Sequence, residues 1–171
     1  MRIFLAGLSL LVLATAASAA PHWLLFHDPD GMFSVNFPRA PAVSHESTPN
    51  TSDNTTVDML EYTIDDGDTA MIVIVSDLTR YPDADPSKVI EGAVGGAKGS
   101  AVQTLSDHDI RLGGHSGREV VLLDKDSNNI EDDIFFVNGK LYQVMYVLPV
   151  NPAAGKVDDV RRFEASFRFT H

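Results

Sequence analysis

Apolar residues run almost unbroken from Ile3 to Ala14, behind Arg2 and ahead of small residues at Ala17 and Ala19. This pattern predicts a secretory signal peptide over residues 1–19, with an A-x-A cut after Ala19. The run is shorter than the roughly 20 apolar residues that span a bilayer. Every later apolar run is of strand length, the longest being Ala70 to Val75.

Beyond the leader the pattern alternates. Trp23 to Phe26 reads as a short strand, and Asp28-Pro29-Asp30-Gly31 as a turn, because Pro fixes φ and Gly allows φ above zero. Phe33 to Phe37 alternates apolar and polar, which predicts a half-buried strand ended by Pro38 and Pro41. Ala42 to Thr56 is polar and reads as a loop or a weak strand end. Val57 to Ile64 and Ala70 to Asp77 flank Asp65-Asp66-Gly67-Asp68 and predict a hairpin. Asp85-Pro86 has the form of an N-cap with proline at the first helical position, opening a helix to about Lys98 with Gly99 as its C-cap. Gly92, Gly95 and Gly96 weaken that helix by about 1 kcal/mol each against Ala, so it either packs closely on a sheet or frays.

Ala101 to Leu112 reads as a strand with an irregular middle, turned by Gly113-Gly114. Arg118 to Leu123 and Ile130 to Val137 read as strands, and Asn138-Gly139 leads by a tight turn into Leu141 to Leu148. Asn151-Pro152 predicts the start of a second helix ending near Phe163 or Glu164, with Ser166 to Phe169 extended after it. Met71–Val75, Val120–Leu123 and Phe135–Val137 are apolar at successive positions, which point to opposite faces, so both faces need cover. The expected fold is α+β: a single domain over 20–171, an antiparallel sheet flanked by two helices.

Composition narrows the function. The chain has 24 acidic and 13 basic residues, a formal charge of −11. Loss of Arg2 with the leader leaves 12 basic against 24 acidic, or −12. Such a charge repels nucleic acid and anionic membrane surfaces. There is no cysteine, which excludes disulfides, thiolate catalysis, cysteine-ligated metals and lipid attachment at a new N-terminal cysteine. The expectation is a soluble periplasmic or secreted protein without membrane insertion. The N-x-[ST] triplets at Asn50 and Asn54 are acceptors only in a eukaryotic secretory pathway.

Several short stretches together resemble small exported proteins of the Mog1/PsbP/DcrB-like group. They are Pro29-Asp30-Gly31, Phe33 to Pro38 with Pro41, Gly117-Arg118-Glu119, Leu141-Tyr142-Gln143-Val144, and Phe163 ahead of Ser166-Phe167. The resemblance implies a curved antiparallel sheet with helices packed on it. It implies no catalytic residue, since the group includes adaptors without enzymatic activity.

Candidate chemistry is sparse. Gly114-His115-Ser116-Gly117 departs from the G-x-S-x-G nucleophile elbow, because its first glycine comes one residue early and a strand follows. Ser116 is expected in a turn and His115 in a solvent-facing loop. Gly92 to Ser100 lacks the glycine and hydroxyl positions of a phosphate loop. Asp124, Asp126 and Asn128 reproduce the D-x-[DN]-x-[DN] start of a calcium loop, with Asn129 in place of the turn glycine and Phe135 where the last carboxylate belongs. Glu131, Asp132 or Asp133 could supply that carboxylate. None of the histidines His22, His27, His45, His108, His115 and His171 forms a helical metal pair.

Arg118 and Glu119, as neighbours in a strand, point to opposite faces. They and His115 are the candidate ligand contacts. No catalytic residue is assigned. The leading expectation is a non-enzymatic binding module for a protein or small ligand. The alternatives are a hydrolase built around Asp107, His108, Asp109 and His115, or a module stabilised by calcium.

Overall fold

A computed structural model describes residues 23–50 and 55–170. The signal peptide, His22, Asn54 and His171 lie outside the described residues. Strands make up 54% of the described chain and helices 17%. The molecule is therefore mostly β, not the expected α+β sheet flanked by two helices.

Seven strands form one antiparallel sheet: β3 (Ala42–Asn50), β4 (Thr55–Asp65), β5 (Ala70–Asp77), β6 (Gln103–Leu112), β7 (His115–Leu123), β8 (Asn128–Val137) and β9 (Lys140–Pro149). Their order across the sheet is β3-β4-β5-β9-β8-β7-β6. A second sheet of three strands, in the order β1-β2-β10, joins β1 (Leu24–His27) and β2 (Phe33–Phe37) to β10 (Arg168–Phe169). Helix α1 (Pro86–Ser100) packs on one face of the large sheet, against β7 and β8. Helix α2 (Lys156–Glu164) and the small sheet cover the other face.

The correction has a local cause. Phe33, Ser34, Val35 and Phe37 are all buried, because β2 lies between β1 and β10 and against the large sheet. The phenylalanines and Val35 join Tyr62, Val73, Phe135, Tyr142, Phe163 and Phe167 in the larger core. The other core, under α1, is built from Val94, Val120, Leu122 and Ile134. The polar stretch expected as a loop or a weak strand end forms, from Ala42 to Asn50, the nine-residue strand β3. It forms one edge of the sheet, where polar side chains and Pro49 discourage pairing with another chain.

The turn signals are largely met. Asp28 closes the first turn: its carboxylate accepts from Met32 N at 3.2 Å and from the Tyr62 hydroxyl at 2.8 Å. Asp85 caps α1 by accepting from Ser87 N at 2.9 Å, with Pro86 at the first helical position. The helix runs past Gly99, and Ala101 is its C-cap. Its four glycines do not press on the sheet, since a Cβ at Gly92, Gly95, Gly96 or Gly99 would meet nothing within 4 Å. Helix α2 starts at Lys156, not at Pro152, behind Gly155 in the left-handed region at φ +84°. The irregular middle of β6 is a shift of register between Thr104 and Ser106.

Candidate functional site

Strand alternation sorts the polar residues of β6, β7 and β8 onto two faces. In register, His108 lies opposite Glu119, and Glu119 opposite Asp133. Glu131 is two residues before Asp133 on the same face. That face carries α2, whose last residue is Glu164. Carboxyl oxygens of Glu119, Glu131, Asp133 and Glu164 all lie within 4.8 Å of one another, an arrangement that could hold a metal ion.

Two unit charges at that spacing repel by about 3 kcal/mol at an effective dielectric of 20. Among the described residues no Lys or Arg ion-pairs with any of the four. Their local partners are few. His108 Nε2 lies 3.2 Å from Glu119 Oε1, and the Tyr146 hydroxyl donates to Glu131 Oε2 at 2.6 Å. Asp133 Oδ1 is buried and accepts no hydrogen bond from the described residues.

Burial and mutual repulsion therefore favour the protonated forms of Glu164, Asp133 and Glu119. The Glu164 carboxyl is pushed up to about 8, by burial first and by Glu131 and Asp133 next. Asp133 is pushed up to about 7 by burial and then by Glu119 and Glu131. Burial also raises Glu119, with Glu131 adding to it. The Tyr146 hydroxyl is raised by burial and by its bond to Glu131.

Asp133 and Glu164 open into a cleft of about 330 Å³. Ile110, Phe135, Val144 and Phe167 give it an apolar floor, and residues 164–168 form the wall opposite the sheet. Arg111 and Arg168 stand at its rim, bonded to the carbonyls of Gly114 and Phe167. A larger hollow of about 600 Å³ lies among Leu78 to Ala84 and Val89. It is lined by one loop and the first turn of α1, so it gathers no groups from distant parts of the chain.

The sequence candidates fall in three places. Arg118 lies on the α1 face, where its guanidinium and the Lys98 ammonium both bond Asp107, and Asp109 Oδ1 accepts from Arg118 Nη1 at 3.0 Å. These cations hold Asp107 down at about 2. Glu119 faces the other way and belongs to the carboxyl cluster. His115 is neither in a loop nor fully exposed. It opens β7, half-buried, with its ring edge-on to Phe169 at 5.1 Å. Ser116 is likewise in the strand, because Gly113 and Gly114 take the turn at φ +59° and +89°.

The proposed hydrolase set is split by the same alternation. Asp107 and Asp109 lie with Arg118 and Lys98, and His108 lies across the sheet with Glu119.

The 124–128 loop uses its own oxygens. Asp124 Oδ1 accepts from the backbone N of Asp126 and of Asn128, each at 2.8 Å, and its Oδ2 accepts from Asn128 Nδ2 at 2.9 Å. Asp126 pairs with Lys125 at 3.0 Å. The left-handed turn position is Ser127, at φ +64°, while Asn129 is already in β8. Of the carboxylates expected to complete that loop, Glu131 and Asp133 face the α2 side instead. Asp132 is buried on the α1 face, 1% exposed, with Oδ2 accepting from Gln143 Nε2 at 2.7 Å.

Sequence reasoning placed Glu119 among the candidates and missed the cluster around it. The i, i+2 spacing of Glu131 and Asp133 in a strand was the available signal, since it puts two carboxylates on one face. Glu164 had none, because α2 reaches the cluster only through tertiary packing.

A scan of the chain against protein-family models finds no match, and a search of curated proteins finds none either.

Proposed function

We propose that the chain is an exported, non-enzymatic binding module, and that its site is the cleft between β6–β9 and residues 164–168. Its ligand is a small molecule with a cationic head and an apolar body. The observation that carries this reading is the meeting of an apolar floor with two carboxyl groups, Asp133 and Glu164, supplied by different elements. A cleft of a few hundred Å³ with an apolar lining and a few converging polar groups of perturbed pKa is the usual form of a small-ligand site. A cationic head neutralises carboxylates that no Lys or Arg of the described chain pairs with. Export rests on the predicted leader, and the resemblance to a group rich in non-catalytic proteins agrees with a binding role.

The test is titration with a panel of amphipathic amines, phenethylamine among them, at pH 8. Amide resonances of Ile110, Phe135 and Val144 are expected to shift, and the melting temperature to rise. At ten times the Kd the stabilisation is about 1.4 kcal/mol. Parallel arms use calcium chloride alone and a chelator. Cleft resonances that move with calcium but not with any amine would replace the organic ligand by a metal ion. Cleft resonances that move with neither would sink the proposal.

A further inference from the structure

Helix α1 packs on β7 and β8, at one side of its face of the large sheet. Residues opposed in register share a face, so Met59 of β4, Ile72 and Ile74 of β5, and Met145 and Val147 of β9 all point to the α1 side. They are half-buried, and none belongs to either core. Helix α2 and the small sheet lie on the opposite face, so no described helix packs on this apolar strip. A bare apolar strip on a folded chain marks a contact surface.

The outer side of α1, beside the strip, has a complementary form. With 3.6 residues per turn, Ile90, Ala93, Val94 and Ala97 face the sheet. Gly92, Gly95, Gly96 and Gly99 fall on the opposite side within an arc of about 100°, where a Cβ would meet nothing within 4 Å. Glycine weakens a helix, and its compensating use is close approach by another surface. No contact within one copy of the described chain makes that use of it.

Strip and glycine face match in direction and length. The loop before α1 lies against Phe136, Asn138 and Gly139 at the end of β8, and Val102 just after the helix bonds Leu123 at the end of β7. The helix therefore runs along the strands. It is about 22 Å long, and β5 is about 26 Å long. A half-turn about an axis parallel to the strands, beside α1, lays the glycine face of each copy on the strip of the other. The two helices then lie side by side between two sheets. Lys88, one turn before Gly92, is exposed, and Glu61 stands on the strip. Neither has an ion pair among the described residues, and their charges suit this arrangement. The contact buries on the order of 1,000 Å², the lower bound for a specific interface.

We propose that the protein forms a two-fold dimer through this face, each α1 seated by its glycines on the β4–β5–β9 strip of the partner subunit. The carboxyl cleft lies on the other side of the sheet, so the dimer goes beyond the binding role and stands independently of it.

Sedimentation velocity of the exported protein from 1 to 500 µM tests the proposal. The expected result is a reversible monomer–dimer equilibrium with a Kd of roughly tens of micromolar, as suits a small interface. At the lower concentration of a thermal melt the chain is monomeric and its glycine face free. Ile74→Lys sets a charge in the middle of the strip, and Gly96→Gln a long side chain on the glycine face. Each is expected to raise the Kd about tenfold or more. Both positions are open in the monomer, and Gln is the better helix former, so the circular dichroism of both variants matches the wild type. Amide resonances of Ile72, Ile74 and Met145 are expected to shift as concentration rises. A chain that stays monomeric at 500 µM, or a dimer that either variant leaves intact, would overturn the proposal. So would concentration-dependent shifts confined to the edge strands β3 and β6.

Discussion

Asp132 is the most deeply buried charged residue among the described residues. It is 1% exposed, one oxygen accepts from Gln143, and the other accepts nothing from the described residues. Burial raises its carboxyl from 3.8 to about 6. A folded value above the unfolded one means that ionisation opposes folding. The cost is full above pH 6, shrinks as pH falls from 6 to about 4, and is absent below. Two pKa units correspond to about 3 kcal/mol. Asp132→Asn keeps the acceptor for Gln143 and removes the charge, at the expense of an unpaired amide N–H. It is expected to stabilise the protein by about 1–2 kcal/mol at pH 7.5 and to destabilise it by about 1–2 kcal/mol at pH 4, where only the unpaired amide N–H remains, as read from urea denaturation at the two pH values. Equal effects at both would show that charge is not the cause. The same residue marks the limit of the sequence. Three consecutive acids, Glu131 to Asp133, read as a polar surface stretch, and only the cover supplied by α1 and α2 buries them.

At the scale of elements, strands with two apolar faces and turns with glycine or Asn-Gly were legible, because period and turn chemistry are local. Strand β3 was not, since a polar edge strand and a loop have the same composition. The start of α2 was not either: Asn151-Pro152 offers a good cap, yet the helix begins four residues later behind an uncapped Gly155. The glycines of α1 give an element-level prediction. Each has open space where a Cβ would go and ordinary helical φ. Gly95→Ala and Gly96→Ala are expected to stabilise by about 0.5–1 kcal/mol each, through helix propensity and a less flexible unfolded chain. Thermal melts of the single and double variants check it, with near-additive gains expected. A loss of stability would mean that the open face of α1 is occupied in solution.

For the whole molecule, the two populations of carboxylates set opposite pH slopes. Asp107, held by Arg118 and Lys98, and Asp66, held by Lys156 and Arg39, have lowered values, and Asp77 and Asp124 are lowered by hydrogen bonds. Their stabilisation is present above pH 4 and is lost as pH falls through the folded values. Asp132, Asp133 and Glu164 have raised values of about 6, 7 and 8, so stability is lost as pH climbs through them. The melting temperature is expected to peak near pH 4 and to fall from there up to about pH 8. Calorimetry at constant ionic strength measures it, and a midpoint that climbs from pH 5 to 9 would contradict the assignment.

The small sheet has a consequence of its own. Its middle strand β2 pairs with β1 beside it in sequence and with β10 more than a hundred residues later, and Asn36 N donates to the Ser166 hydroxyl across 130 positions. The large sheet can grow by one hairpin after another, but this closure spans nearly the full described chain. Contacts so distant in sequence form slowly, because the loop they close must be ordered first. The phenylalanines of β2 therefore wait, unburied, until the last-made strand arrives. An emerging chain of this protein is at its stickiest near its own beginning, which is where a chaperone would have most to shield.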